Sequence, residues 1–142
     1  MAQSTISYLL ATNNQGKVHE LKALFEKTGL KLNSLAELGL FLEPEETGTS
    51  FTENALIKAT QTLALLKAHG HHHIAVIADD SGLCIQALNG EPGVDSANFM
   101  GRETPYEIRN QYLIDSLKNS PRQAYFACVI ACVFPCGKEA RS

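Results

Sequence analysis

Ile74-Ala75-Val76-Ile77-Ala78 is an unbroken apolar run that ends abruptly in Asp79-Asp80-Ser81-Gly82. A strand with one wet face alternates apolar and polar residues, so a continuous run predicts a strand covered on both faces. Strands of that kind belong to sheets whose helices lie on either side. The rest of the chain supplies those partners. Residues 6–11 read as a strand, Thr12-Asn13-Asn14-Gln15-Gly16-Lys17 as a tight polar loop, and Val18, Leu21, Leu24 and Phe25 recur at helical spacing until Gly29. A second strand begins at residues 30–32, followed by an irregular acidic stretch, Glu43-Pro44-Glu45-Glu46-Thr47-Gly48. Ser50-Phe51-Thr52-Glu53 is a capping box that opens a helix with Phe51, Ala55, Leu56, Ala59, Leu63 and Leu66 as its apolar face, ending near Gly70. The alternation predicts an α/β fold with at least some parallel strand pairs.

Asn89-Gly90 and Pro92-Gly93 are turn dipeptides. Thr104-Pro105-Tyr106-Glu107 predicts another helix, with Thr104 as its cap and Glu107 closing the box, running to about Asn119. Residues 124–134 read as a strand apolar on both sides, with Tyr125, Ala127, Val129, Ala131 and Val133 on one and Phe126, Cys128, Ile130, Cys132 and Phe134 on the other. That pattern predicts a place in the sheet interior, yet no further helix or strand is legible after it. At 142 residues the chain is expected to form a single domain, residues 1–142.

A formal net charge of -3, with twelve Lys and Arg scattered along the chain, offers no basic field for a nucleic-acid backbone. No apolar run approaches bilayer length, and Met1 to Thr5 lacks the features of a secretory signal, so a cytoplasmic location with no membrane partner is predicted. Cys84, Cys128, Cys132 and Cys136 sit mostly in apolar surroundings and read as reduced, buried packing residues. The last three would share one strand face without forming a metal site. His71-His72-His73 has no ligand partner at metal spacing and reads as a solvated loop.

Two segments carry chemistry. The loop from Thr12 to Lys17 combines small polar side chains, a glycine, a lysine and a helix start, the parts of an anion cradle suited to a triphosphate. It is not a Walker A loop, since Ala11 and Val18 stand where that motif needs a glycine and a Ser or Thr. An ordinary polar strand-to-helix turn is the competing reading. Asp79 and Asp80 lie where an apolar strand is expected to end, the place where open α/β sheets hold ligands. Neighbouring strand residues point to opposite faces, so one aspartate faces a pocket and, with Glu45 or Glu46, could hold Mg²⁺. The other is then free to cap a turn at Ser81-Gly82.

Taken in order and spacing, Ala11-Thr12-Asn13-Asn14-Gln15-Gly16-Lys17, Glu45-Glu46-Thr47-Gly48 with Phe51-Thr52-Glu53-Asn54-Ala55, and Ala78-Asp79-Asp80-Ser81-Gly82-Leu83 with Gly90-Glu91-Pro92-Gly93 and Ser96-Ala97 resemble the inosine/xanthosine triphosphate pyrophosphatase family. The match continues through Arg122-Gln123-Ala124 and the last strand. The resemblance implies an elongated mixed sheet flanked by helices, with a cleft between two lobes, and a homodimer. It implies house-cleaning hydrolysis of noncanonical purine nucleoside triphosphates, those of inosine, deoxyinosine and xanthosine, to monophosphate and pyrophosphate. Carried over by position, Thr12, Asn13, Asn14, Gln15, Gly16 and Lys17 would hold the phosphates and Ser81 would contact substrate. Glu45 and Asp80 would bind Mg²⁺, with Asp80 as general base and Lys17 as the catalytic cation.

The family also carries a Phe-Gly-aromatic-Asp segment, a lysine and a Ser-His-Arg segment that recognise the base, and these are not found in the 142 residues. The C-terminal portion is therefore expected to be missing, with base selectivity and rate impaired. Asn98 also stands where the family tends to have Arg. The alternative reading is a catalytically inactive remnant serving as a phosphate-binding or dimerisation module. A receiver domain fits the length but not the placement of its acidic residues, because Asp95 and Asp115 fall in turn and helix contexts.

Overall fold

The computed structural model describes residues 6–136 and the backbone of residues 139–141, so the reading of Met1 to Thr5 lies outside the described residues. The elements are β1 (Ser7–Leu10), α1 (Gln15–Glu26), β2 (Leu32–Ser34), α2 (Phe51–Ala68), β3 (Ile74–Ile85), α3 (Tyr106–Ser116), β4 (Ala124–Val133) and β5 (Glu139–Arg141), with short 3₁₀ turns between them. The sheet order is β2-β1-β3-β4-β5. β1 pairs in parallel with β2 and β3, whereas β4 pairs antiparallel with β5, so the sheet is mixed as well as α/β. The chain separates into two compact units, one of Met1–Asp79 with Val129–Ser142 and the other of Asp80–Cys128.

In the first unit the sheet is buried on both sides because successive strand residues point opposite ways. Leu9 and Val76 pack with Ala59, Leu63 and Leu66 of α2, while Leu10 packs with Val18 of α1 and with Leu32. Each of Leu9, Leu10 and Leu66 is fully enclosed, a burial that contributes roughly 1.5–3 kcal/mol apiece. The second unit has its own core, in which Ile85 meets Leu113 of α3 and Leu117 just past its end, with Leu83, Leu88 and Phe99 around them.

Several sequence expectations are corrected. β3 does not stop at Asp79. It runs on to Ile85, placing Asp79-Asp80 mid-strand, with Ser81-Gly82 in the strand and not in a turn. The parallel pairing with β1 does stop there, its register running only from Ser7 opposite Ile74 to Leu10 opposite Ile77. Beyond Asp80 the strand takes new partners: the Leu83 N–H donates to Ser96 Oγ at 2.9 Å and the Ile85 N–H to the Glu91 carbonyl at 3.2 Å. Gly82 is a close-approach residue, because a Cβ there would stand 2.2 Å from the Gly93 carbonyl oxygen and 2.7 Å from Ser96 Oγ.

Thr104 does not cap α3. Its hydroxyl turns back to the Met100 carbonyl, and the helix begins after Pro105 with no side-chain cap and ends at Ser116 rather than near Asn119. β4 is not interior along its length. Ala131 and Val133 are buried, but Phe126 is 83% exposed and Ile130 45%, because only the face bearing Ala127 to Val133 is covered. A short strand, β5, does follow it. The cysteines are all free, as expected, but only Cys84 is buried, while Cys128 and Cys136 are exposed and Cys132 is half-buried.

Two outcomes follow from this packing. Gly82→Ala is expected to destabilise the protein by about 3 kcal/mol, since backbone and not a flexible side chain blocks the new methyl, and urea unfolding measures it. Burial pushes the Cys132 thiol up, so less of it is thiolate at pH 8. Ellman's reagent is therefore expected to modify Cys128 and Cys136 well ahead of Cys132, with Cys84 last, as read by peptide mass mapping.

Candidate functional site

Where the β1–β3 pairing runs out, both chains become polar. Residues 12–17 leave β1 and enter α1, and Asn14 is the helix cap, its Oδ1 accepting from the Gly16 and Lys17 N–H groups at 2.9 and 3.2 Å. The Asn14 N–H in turn donates to Thr12 Oγ1 at 3.1 Å, and Asn13 Nδ2 donates to the Leu42 carbonyl at 3.2 Å, tying the loop to the segment before the acidic stretch. Gln15 and Gly16 are exposed on the first turn. Two amides that the sequence offered to an anion are thus held by Asn14 itself. Both amides lie at the positive end of the helix dipole.

Lys17 reaches β3, its Nζ 2.8 Å from Asp79 Oδ2, with the lysine side chain 40% exposed and the aspartate 16%. Lys58, on α2, donates to the Asp79 carbonyl oxygen at 3.0 Å and pairs with Glu46 Oε1 at 2.9 Å. One lysine therefore ties the acidic stretch to the strand at the aspartate, while Lys17 engages that aspartate's carboxylate. Glu45 and Glu46 are both exposed, and Glu46 is the one that pairs with Lys58. Asp80 is buried and Ser81 exposed; both follow Asp79 directly along β3 but belong to the second unit.

The loop ahead of α2 is built by its own side chains. Ser50 Oγ accepts from the Glu53 N–H at 3.1 Å, as the capping box requires. Glu53 reaches back one residue further, accepting from the Thr49 N–H at 2.9 Å, and buried Asn54 accepts from the Gly48 N–H at 2.8 Å. Lys58 and Asn54 were missed as site builders. The signal was present: Asn54, Lys58 and Thr62 recur every four residues, a polar stripe beside the apolar face of α2. His72 and His73 are exposed, and among the described residues no group of three His, Cys, Asp or Glu side chains is placed to hold a metal ion. Among the described residues no helix is long and apolar enough to cross a membrane.

Residues 8–142 match the Ham1 family. The chain belongs to that family. It is 46% identical over 125 residues to a Leptospira interrogans protein named dITP/XTP pyrophosphatase, with 87% of this chain and 60% of that protein covered. A Bacillus cereus protein of the same name is 41% identical over 140 residues, covering 96% of this chain and 65% of its own length. The chain thus spans about three-fifths of the length of these curated relatives. Among solved structures, the Staphylococcus aureus Ham1 protein superposes with a TM-score of 0.80 at 35% identity, covering 95% of this chain and 67% of that one. A HAM1 protein from Coxiella burnetii gives 0.81 at 33% identity, covering 96% and 68%. This Ham1-family chain therefore has the fold of its relatives over nearly all of its residues.

Because Asn14 supplies the side-chain acceptor for two helix-start amides, Asn14→Ala is expected to cost about 1 kcal/mol of stability. Thermal unfolding followed by circular dichroism checks this, with Asn14→Ser expected to recover most of the loss.

Proposed function

We propose that this Ham1-family chain hydrolyses noncanonical purine nucleoside triphosphates (inosine, deoxyinosine and xanthosine triphosphate) to the monophosphate and pyrophosphate, acting as one domain over residues 1–142. The observation that carries the reading is the Lys17–Asp79 pair at the N-terminus of α1, an ammonium held at 2.8 Å beside a capped polar loop. The names of the relatives at 46% and 41% identity supply the substrate class. A homodimer in the cytoplasm, without nucleic-acid or membrane partners, completes the proposal.

In this mechanism Thr12, Asn13, Asn14, Gln15, Gly16 and Lys17 hold the polyphosphate. Lys17 exchanges its bond to Asp79 for a phosphate oxygen, a trade of one anion for another that leaves the ammonium paired throughout. Lys58 keeps Asp79 and Glu46 in place during that exchange. Glu45 and Asp80 are the residues that would hold Mg²⁺, and hard carboxylate oxygens fit such an ion, which needs only one or two of them. When bound, Mg²⁺ neutralises charge on the phosphate oxygens. Asp80 accepts the proton of the water that attacks the α-phosphorus, Ser81 contacts the nucleotide, and pyrophosphate leaves in line.

The test is pyrophosphate release from inosine, xanthosine, guanosine and adenosine triphosphates, with and without Mg²⁺. The expected result is metal-dependent release favouring the first two, falling about a hundredfold or more in Asp80→Asn. Absence of release from all four would overturn the enzymatic reading. Retained binding of inorganic tripolyphosphate in that case would support a phosphate-binding module instead.

A further inference from the structure

Arg109 is 4% exposed, and among the described residues no carboxylate balances it. Its guanidinium is spent on backbone. Nε donates to the Thr104 carbonyl at 2.8 Å, Nη1 to Ala97 at 3.0 Å and Ser96 at 3.4 Å, and Nη2 to Gly101 at 2.7 Å and Arg102 at 2.8 Å. The Tyr106 ring lies 4.8 Å from its Cζ, closing one face. The segment so gathered contains Met100 and Gly101 with positive φ, a backbone path outside helix and sheet. One planar fork from α3 thus meets five backbone carbonyls.

This clamp reaches β3 through one residue. The Ser96 carbonyl is held by Arg109, while its hydroxyl donates to the Gly93 carbonyl at 2.6 Å and accepts from the Leu83 N–H at 2.9 Å. Gly82 lies against the same Gly93 carbonyl. Leu83 is two residues from Ser81 and three from Asp80 along one extended strand, all within the unit Asp80–Cys128. A shift of the Ser96 turn therefore moves the strand that presents the buried carboxylate.

We propose that Arg109 is a positioning residue: by templating residues 96–104 it sets Ser96 against β3 and so fixes Asp80 and Ser81 for the reaction. The kinetic part rests on the pyrophosphatase reading; the structural part does not. Arg109→Lys keeps the charge but not the fork, and Ser96→Ala keeps the clamp but removes the link to Leu83.

The experiment measures amide hydrogen exchange at Leu83 by nuclear magnetic resonance, together with kcat and KM for inosine triphosphate, in both variants and their double mutant. The expected result is Leu83 exchange faster by about tenfold or more in each, and kcat lower by about ten- to a hundredfold with KM within about twofold, since misplacement acts on the transition state. The double mutant is expected to be no worse than the poorer single variant. Unchanged Leu83 exchange in folded Arg109→Lys, or additive losses of kcat, overturns the proposal. Should Arg109→Lys not fold, Ser96→Ala decides: unaltered exchange at Leu83 there shows that the Ser96 hydroxyl does not hold β3 and overturns it. If the unsubstituted chain releases no pyrophosphate, the activity reading fails while Leu83 exchange still tests the clamp.

Discussion

The parallel pairing of β1 with β3, Ser7 to Leu10 against Ile74 to Ile77, is the contact on which the first unit depends. It is stabilised from both sides, by α2 over Leu9 and Val76 and by α1 beside Leu10, and it ends where the apolar residues end. Parallel strands point their carboxyl ends the same way, so the loop at Thr12 and the aspartate at Asp79 emerge together. The ion pair between Lys17 and Asp79 is a consequence of that register, spanning 62 positions of sequence. A one-residue slip would exchange the side chains that face α2 with those that face α1, so the register, and with it the position of these charges, follows from how the two cores pack.

Around that point the polar groups satisfy one another before any ligand arrives. Asn14 holds the helix-start amides, Asp79 holds Lys17, and Lys58 joins Glu46 to the Asp79 carbonyl. Pairing offsets part of the cost of desolvating this partly buried cluster of charge. The second unit solves its own problem differently. Its residues 96–104 are irregular, and a buried guanidinium replaces the donors that a helix or sheet would have supplied.

Much of this was legible in the residues. The apolar run at Ile74 specified a strand buried on both faces, Ser50 and Glu53 specified a helix start, and the order of three motifs specified the family. The errors have physical causes. β3 was expected to stop at Asp79 because two charges usually end a buried run, but the strand changes partners there and continues. Thr104 was expected to cap α3 because Thr-Pro begins helices, but its hydroxyl is taken by Met100. β4 was expected inside because both its faces are apolar, and hydrophobicity alone does not say whether a covering element exists.

By itself, the sequence determined most of the elements and the parallel character of the core, because these depend on periodicity and local capping within a few turns of chain. Only the tertiary structure decided which charges meet. Lys17 with Asp79 is set by strand register across 62 positions, while Lys58 with Glu46 and Arg109 with five carbonyls depend on how irregular segments fold back on a helix, and periodicity carries no information about either.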